Sequence, residues 1–437
     1  MAFITAVVLA AGEGKRMKNG SAKVLAPVLG TPMLTHVLRA AGFADCRVVV
    51  AGHRYDDVAA AVGNSAELTR QEEQKGTAHA VLTAAQILQK NGGATLVLAG
   101  DMPLVTQETL KSLVSKVEAG AAAAVACCTA LDPTGYGRII RGENGDIKLI
   151  VEQKDADAKQ RAIKEINTSI YCFDTACLLD ALSRVKNENA QGEYYLTDCI
   201  GILSAQGKSV AGVSIDALEG LGVNDPAQLD EANRAMRRRV NKALMLSGVT
   251  MLDSETTYIS AESEIEPGVT VYPGNVIEGE TVIKAGTVLY AGNYIEGAKI
   301  GANCKIGPSA HIRPKVKTGD GCRVGNFVEL KNLTLGDGSK VSHLTYCGDG
   351  EIGKKTNVGC GVVFSNYDGK NKFRTTVGDN AFIGCNANLV APVTVEDGAY
   401  IAAGSTITKD VPSKALGIAR ERQTNIEGWT ERTKNRR

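Results

Sequence analysis

What this sequence lacks is as informative as what it holds. Its 49 basic and 48 acidic residues leave a formal net charge of +1. That balance offers no electrostatic argument for binding nucleic acid or a charged membrane surface. No stretch approaches the roughly eighteen uninterrupted apolar residues of a spanning helix, and no charged leader precedes the first apolar run. The 11 cysteines are odd in number and include no CxxC pair, so neither a zinc site nor a disulfide framework is predicted. Reduced thiols in a cytoplasmic protein are expected. The glycine-rich turn near the N-terminus matches neither GxxxxGK[ST] nor GxGxxG, which sets aside a standard P-loop and a dinucleotide fingerprint. At 437 residues the chain is too long for one core, so two domains are expected.

The dominant pattern is an aliphatic ladder with a period of six. Ile265, Val271, Ile277, Ile283, Leu289 and Ile295 follow it, as do Val377, Ile383, Leu389, Val395, Ile401 and Ile407. Between these runs the period restarts at Ile300, Val324, Leu335 and Ile352. The fifth residue of each step is usually small or short, as at Val269, Thr281, Thr287, Ala310, Ala381, Ala387, Ala399 and Ser405. Neither a helix nor a strand alternation has this period. Short strands joined at tight corners do, and one step cannot bury its aliphatic side chain alone. A parallel β-helix of triangular section is predicted, with three steps per coil. Residues that do not fit a coil must leave it, so Asn366 to Arg374 is predicted to project as a polar loop suited to binding.

The first half reads differently. Phe3 to Leu9 is a continuous apolar run, as in a central parallel strand. Pro32 to Ala41 and Thr77 to Gln89 are predicted helices, and Arg47 to Val50 and Thr95 to Ala99 predicted strands. Alternating strands and helices predict a doubly wound α/β sheet, whose ligands sit beyond the strand C-termini. Gly12 and Asp101 fall at two such ends. The turn Leu9-Ala10-Ala11-Gly12-Glu13-Gly14-Lys15-Arg16 could admit a phosphate to its backbone N–H groups or be a plain tight turn. Asp101 could hold Mg²⁺ beside phosphate oxygens or close a turn. Asp225 and Pro226 predict a helix start, the helix running to about Ser247. Leu229, Ala232, Met236, Val240 and Ala243 lie on one face, with Arg237, Arg238 and Arg239 solvated.

Taken in order, the segments LAAGEGKRM, QKGTAHA, GDMPL, DPTGYGRI, EIN, QGEYYLTD, GNFVELK, SHLTY, NYDGKNKF and NLVAPVTV resemble one family along nearly the whole chain. It is the bifunctional N-acetylglucosamine-1-phosphate uridyltransferase/glucosamine-1-phosphate acetyltransferase (GlmU) family. The resemblance implies a nucleotidyltransferase domain over 1–224, a linker helix over 225–248, and a left-handed β-helix acetyltransferase domain with its tail over 249–437. It implies two consecutive reactions. Acetyl-CoA acetylates glucosamine 1-phosphate, and UTP then couples to the resulting N-acetylglucosamine 1-phosphate with release of pyrophosphate. It also implies a homotrimer with acetyltransferase sites at subunit boundaries, and no nucleic-acid or membrane partner.

Carried onto this sequence, the resemblance places Leu9, Ala10, Ala11, Gly12 and Arg16 around the nucleotide and Lys23 on its phosphates. Gln71, Gly76 and Thr77 read uracil and ribose. Gly100 and Asp101, at the end of strand Thr95 to Ala99, also contact the nucleotide sugar, with Asp101 and Asn224 as the Mg²⁺ ligands. Gly137, Glu152 and Asn167 take the amino sugar. In the second domain His343 is the general base, a role suited to imidazole near neutral pH. Arg313 and Lys331 clamp the sugar phosphate, and Tyr346 and Asn357 line the sugar pocket. Asn366 and Tyr367 form its rim toward acetyl-CoA, whose groove continues along Cys360, Cys385, Ala403 and Arg420. The chain departs from the family at Ala22, Ala99, Cys360 and Cys385. The first two bear on substrate preference; the cysteines are expected to pack rather than react. A pyrophosphorylase whose β-helix only oligomerises, and a nucleotide-sugar sensor without activity, are the competing readings.

Overall fold

The computed structural model describes residues 2–17 and 20–434; the side chain of Lys15, in the predicted phosphate turn, lies outside the described set. The chain divides into two compact units, Met1–Met236 and Arg237–Arg437.

The first unit is built on one mixed sheet. Its order is Val210–Ser214, Ala123–Thr129, Glu165–Asp174, Ala94–Ala99, Ile4–Ala10, Cys46–Ala51 and Glu67–Arg70. All neighbours on this path are parallel except at Glu165–Asp174, which runs antiparallel to both sides. The two central strands, Ile4–Ala10 and Ala94–Ala99, are buried along nearly their full length, as expected for strands covered on both faces. Separate apolar clusters fill the two sides, one around Val7, Val97 and Leu203 and the other around Val8, Leu98 and Leu110.

The single predicted helix over 77–89 is two, Thr77–Leu82 and Ala85–Asn91. The break falls at Thr83, whose hydroxyl donates to the Ala80 carbonyl (2.8 Å) and meets the Thr69 hydroxyl (3.0 Å). A threonine that bonds back to its own turn competes with helix continuation. Helix Pro226–Leu246 begins where expected, with the Asp225 carboxylate accepting from the Gln228 N–H (2.9 Å). Its polar face differs from the expectation. Arg237 is buried, paired with Glu255 (2.6 Å) and stacked on the Tyr258 ring. Ala243 is exposed, and the buried place nearby goes to Asn241, whose amide donates to the Ser254 and Thr257 carbonyls.

The second unit is the predicted β-helix. Two- and three-residue strands stack in register between coils: Ile259 on Ile277, Ile295, Ile312, Leu330 and Cys347 in one column. Val271, Leu289, Ile306, Val324, Val341, Val358, Ile383 and Ile401 form a second. These residues and the short fifth-position residues are buried. All eleven cysteines are free thiols. The coil after Val358 is longer than its neighbours because residues 366–374 leave it as a small hairpin, closed by a bridge between Tyr367 and Lys372. No helix among the described residues is long and apolar enough to cross a membrane.

Candidate active sites

In the first unit the central strands end together, the Gly100 N–H donating to the Leu9 carbonyl (2.9 Å). Beyond them opens a cavity of about 480 Å³ lined by Leu9 to Gly12, Arg16, Lys23, Gln71, Gly76, Thr77, Asp101, Glu152 and Asn224, among others. A Cβ on Gly12 would touch no protein atom within 4 Å, so packing within the protein does not require glycine there. The Lys23 ammonium binds the Asp101 carboxylate and the Asn224 side-chain oxygen, the latter at 3.1 Å. Asn224 is held in turn by Gln228, which accepts its N–H (2.8 Å).

Among the described residues no three His, Cys, Asp or Glu side chains cluster as a metal site. One carboxylate and one amide oxygen converging on a cation nonetheless fit Mg²⁺, which keeps waters and takes substrate phosphates as its other ligands.

The segments around Gly76 and Tyr194 interlock. Tyr194 N–H donates to the Lys75 carbonyl (2.8 Å), Ala78 N–H to the Tyr194 carbonyl (2.9 Å), and Leu196 N–H to the Thr77 hydroxyl (2.9 Å). Gly76 has φ 111°, and a Cβ there would stand 2.5 Å from the Tyr194 oxygen. The Gln71 amide donates to the Gly76 carbonyl (3.1 Å).

On the facing wall the Thr197 hydroxyl donates to Glu152 (3.2 Å). Burial raises the Glu152 pKa, partly offset by that hydrogen bond. Gly100, Gly137 and Asn167 stand behind the lining rather than in it. Asn167 is buried, its N–H on the Gly137 carbonyl (2.9 Å) and its amide donating to the Tyr171 hydroxyl (2.7 Å). Tyr136, Thr168 and Thr197 line the cavity as well. The expectations above did not single them out, although the segments DPTGYGRI and QGEYYLTD pointed to two of them.

In the second unit one corner of the prism forms a column. Backbone N–H groups join Leu344 to Asn326, Gly361 to His343, Asn386 to Cys360 and Gly404 to Cys385. Asn326, His343, Cys360, Cys385 and Ala403 therefore follow one another up that corner, with Arg420 packed beside Gly404. Cys385 is exposed and Cys360 half-buried, so contrary to expectation neither packs inside the prism, because both lie on its outer corner. Asn357 stands on the adjoining ten-stranded sheet between Lys340 and Phe382. The His343 Nδ1 meets the Asn326 side-chain oxygen at 2.7 Å.

The next corner holds the cations. Arg313 pairs with Glu329 (2.9 Å), and the Lys331 ammonium stands 3.8 Å from Asp349. Asp349 is buried and accepts from Asn332 (2.8 Å) and from Asn366 of the projecting loop (2.6 Å). Burial opposes its ionisation, but Asn332, Lys331, Asn366 and Lys372 outweigh that and hold its carboxyl below the usual range. Lys331 in turn pushes the Lys372 pKa down. Tyr346 stands at the start of the strand that leads to this corner. Its hydroxyl lies above Gly348 and accepts from the Asn366 amide at 3.5 Å. Tyr367 is exposed on the loop, its hydroxyl turned back to the Gly369 carbonyl (2.6 Å).

His343 and Lys331 thus border one face of the prism. Lys331 is in register with Gly348, and the chain from His343 to Gly348 spans at most about 17 Å fully extended. A groove of about 520 Å³ on the neighbouring face is lined by Lys299, Lys315, Lys317 and Arg374 among others, and includes none of His343, Arg313 or Lys331.

Residues 6–192 match the MobA-like NTP transferase domain, and residues 297–332 and 374–409 match the bacterial transferase hexapeptide (six repeats). A nucleotidyltransferase unit followed by a hexapeptide β-helix defines a two-domain transferase with a separate site in each unit. Curated relatives named bifunctional protein GlmU align along nearly its whole length. Those of Shouchella clausii and Bacillus licheniformis are 48% and 49% identical, and that of Clostridium botulinum is 44% identical, each over 98% of both chains. The chain belongs to the GlmU family.

Proposed function

We propose that the two units divide between them the two consecutive reactions leading to UDP-N-acetylglucosamine. The β-helix transfers acetyl from acetyl-CoA to the amine of glucosamine 1-phosphate. The α/β unit then joins N-acetylglucosamine 1-phosphate to the uridylyl group of UTP and releases pyrophosphate. The observation that carries the second step is the convergence of Asp101 and Asn224 on the ammonium of Lys23, a residue 201 positions from Asn224. A protein that only bound nucleotide sugars would not need to gather these groups at one point.

In uridylyl transfer a phosphate oxygen of the sugar attacks the α-phosphorus and pyrophosphate leaves. The attacking phosphate is already an anion, so no protein base is needed. Asp101 and Asn224 would hold Mg²⁺, which supplies charge neutralisation at the reacting phosphates. Lys23 and Arg16 lie where they can add to that stabilisation. The Gln71–Thr77 segment, pinned against Tyr194, offers polar edges for uracil and ribose. Glu152, Gly137 and Asn167 shape the sugar wall, Glu152 at the surface and the other two by backing it.

In acetyl transfer the substrate ammonium must lose a proton before it can attack the thioester. His343 takes that proton, and the amine adds to the carbonyl. The coenzyme A sulfur leaves with the bonding pair of the C–S bond and takes up the second amine proton. Arg313, Lys331 and Lys372 receive the sugar phosphate, while Tyr346 and Asn357 flank the sugar. Acetyl-CoA extends along Cys360, Cys385, Ala403 and Arg420.

A convex prism closes no cleft by itself, so the site is completed by a second copy in a trimer. Phe327 and Leu344 support this. They stand next to Asn326 and His343 with φ of 53° and 45°, and are 62% and 60% exposed. Two strained apolar residues facing outward make a rim that a neighbouring prism would cover. Small phosphorylated substrates, Mg²⁺ and a cytoplasmic location complete the reading.

The test is to assay both half-reactions on Asp101→Ala and His343→Ala, with mass checked by sedimentation. Asp101→Ala should lose uridylyl transfer by more than about a hundredfold and keep acetyl transfer, and His343→Ala the reverse. Loss of both activities in either folded trimer would overturn the division.

A further inference from the structure

The pairing of Asn326 with His343 has a chemical consequence. They are in-register neighbours on adjacent coils, at the ends of strands Arg323–Asn326 and Lys340–His343. The Leu344 N–H donates to the Asn326 carbonyl at 3.1 Å, so backbone bonding fixes the two Cα positions before any side chain is considered. The Asn326 side-chain oxygen then lies 2.7 Å from Nδ1. An amide oxygen can only accept, so Nδ1 carries the proton and Nε2 is left with the free lone pair.

We propose that Asn326 is a positioning residue for acetyl transfer, fixing the His343 tautomer so that Nε2 is the basic nitrogen. This rests on the assignment of His343 as the base. Nε2 takes one proton from the substrate ammonium, and the amine's lone pair forms the new C–N bond. The C–S bond breaks with its electron pair going to the coenzyme A sulfur, which takes the second amine proton, and the imidazolium keeps its Nδ1–H on Asn326 throughout.

The neutrality of Asn326 is part of the device. A carboxylate in its place would stabilise the imidazolium and leave less free base at neutral pH. Among the described residues no carboxylate stands within ion-pair distance of the ring. The residues stacked with His343 at this corner are Cys360 on the coil above and Asn326 on the coil below, and its ring is bonded to the uncharged Asn326 side chain. The amide therefore orients the ring without adding a charge.

Three variants of the full-length protein test this, with uridylyl transfer and trimer mass as controls for folding. Asn326→Ala should lower kcat for acetyl transfer about tenfold or more while each KM stays within about twofold, because only the orientation of the base is lost. Asn326→Asp should move the acidic limb of the kcat/KM profile up by about one pH unit or more. In histidine-selective ¹⁵N spectra the parent should show the neutral ring protonated at Nδ1; with 5 histidines in the chain, His343→Ala assigns the signal.

A kcat within about twofold of the parent in Asn326→Ala, an unmoved limb in Asn326→Asp, or a neutral ring protonated at Nε2 would each overturn the proposal. Retention of acetyl transfer in His343→Ala would instead sink the base assignment beneath it.

Discussion

Asn366 donates its amide to Asp349 at 2.6 Å, which ties the projecting loop to the corner of the prism that carries Lys331. The loop's first residue is buried, so the segment that leaves the coil is anchored at its root by a charge-assisted hydrogen bond. The same carboxylate takes a second amide from Asn332 (2.8 Å), and the Lys331 ammonium stands 3.8 Å from it.

Asp349→Asn replaces an acceptor with a donor against Asn332 or Asn366. A loss of about 1–3 kcal/mol at pH 7 is expected. The folded pKa is depressed, so this stability is fully present above the unfolded value of about 3.9 and disappears as pH falls through the folded one. Urea melts at neutral pH and near the acid limit measure the gap, which should close in acid. An equal gap at both would mean that the charge of Asp349 contributes nothing.

Glu152 carries the opposite sign. Burial raises its pKa, so its protonated form suits the fold and the charge is a burden once pH passes the folded value. Glu152→Gln should therefore raise the melting temperature more at pH 8 than near the unfolded pKa of about 4.3. It should also raise KM for N-acetylglucosamine 1-phosphate, because the cavity wall loses its carboxylate. A pH-independent change in melting temperature would contradict the burial account.

Gly76 sits at φ 111° with the Tyr194 carbonyl where a Cβ would go. Gly76→Ala should cost about 1–3 kcal/mol through backbone strain alone, with further loss as the Tyr194 segment retreats. Binding of UTP, followed by calorimetry, should weaken along with stability. Wild-type affinity in the variant would show that this junction does not shape the nucleotide site.

Ile295 is fully buried between Ile277 and Ile312 in the β-helix. Ile295→Ala should destabilise that unit by about 2–5 kcal/mol. Uridylyl transfer at moderate temperature should persist, because every residue assigned to it lies in the other unit. Scanning calorimetry alongside the two assays separates these outcomes.

The β-helix was legible in the chain because a period of six has no other cheap solution in backbone geometry. Each of Ile265, Val271, Ile277 and their successors is buried, and a residue count sufficed to send 366–374 out of the coil. The alternation of strands and helices likewise indicated a doubly wound sheet with Gly12 and Asp101 at strand ends. Where local pattern met tertiary contact, it fell short. Nothing in the sequence around 77–89 marked Thr83 as the break, since its hydroxyl partners include Thr69 on another strand. Arg237 was expected in water and is buried beneath Tyr258, a ring 21 positions away.

The sequence by itself determined the two architectures and most of the chemistry-bearing residue types, because periodicity and turn composition act over short distances. Only the tertiary structure decided which of those residues meet. Lys23 reaches Asp101 and Asn224 through strand order, Asp349 gathers Asn332 and Asn366 through coil register, and Asn326 comes to lie under His343 because coils stack seventeen positions apart at that corner. Such meetings depend on long-range backbone hydrogen bonding, which no local stretch of sequence encodes.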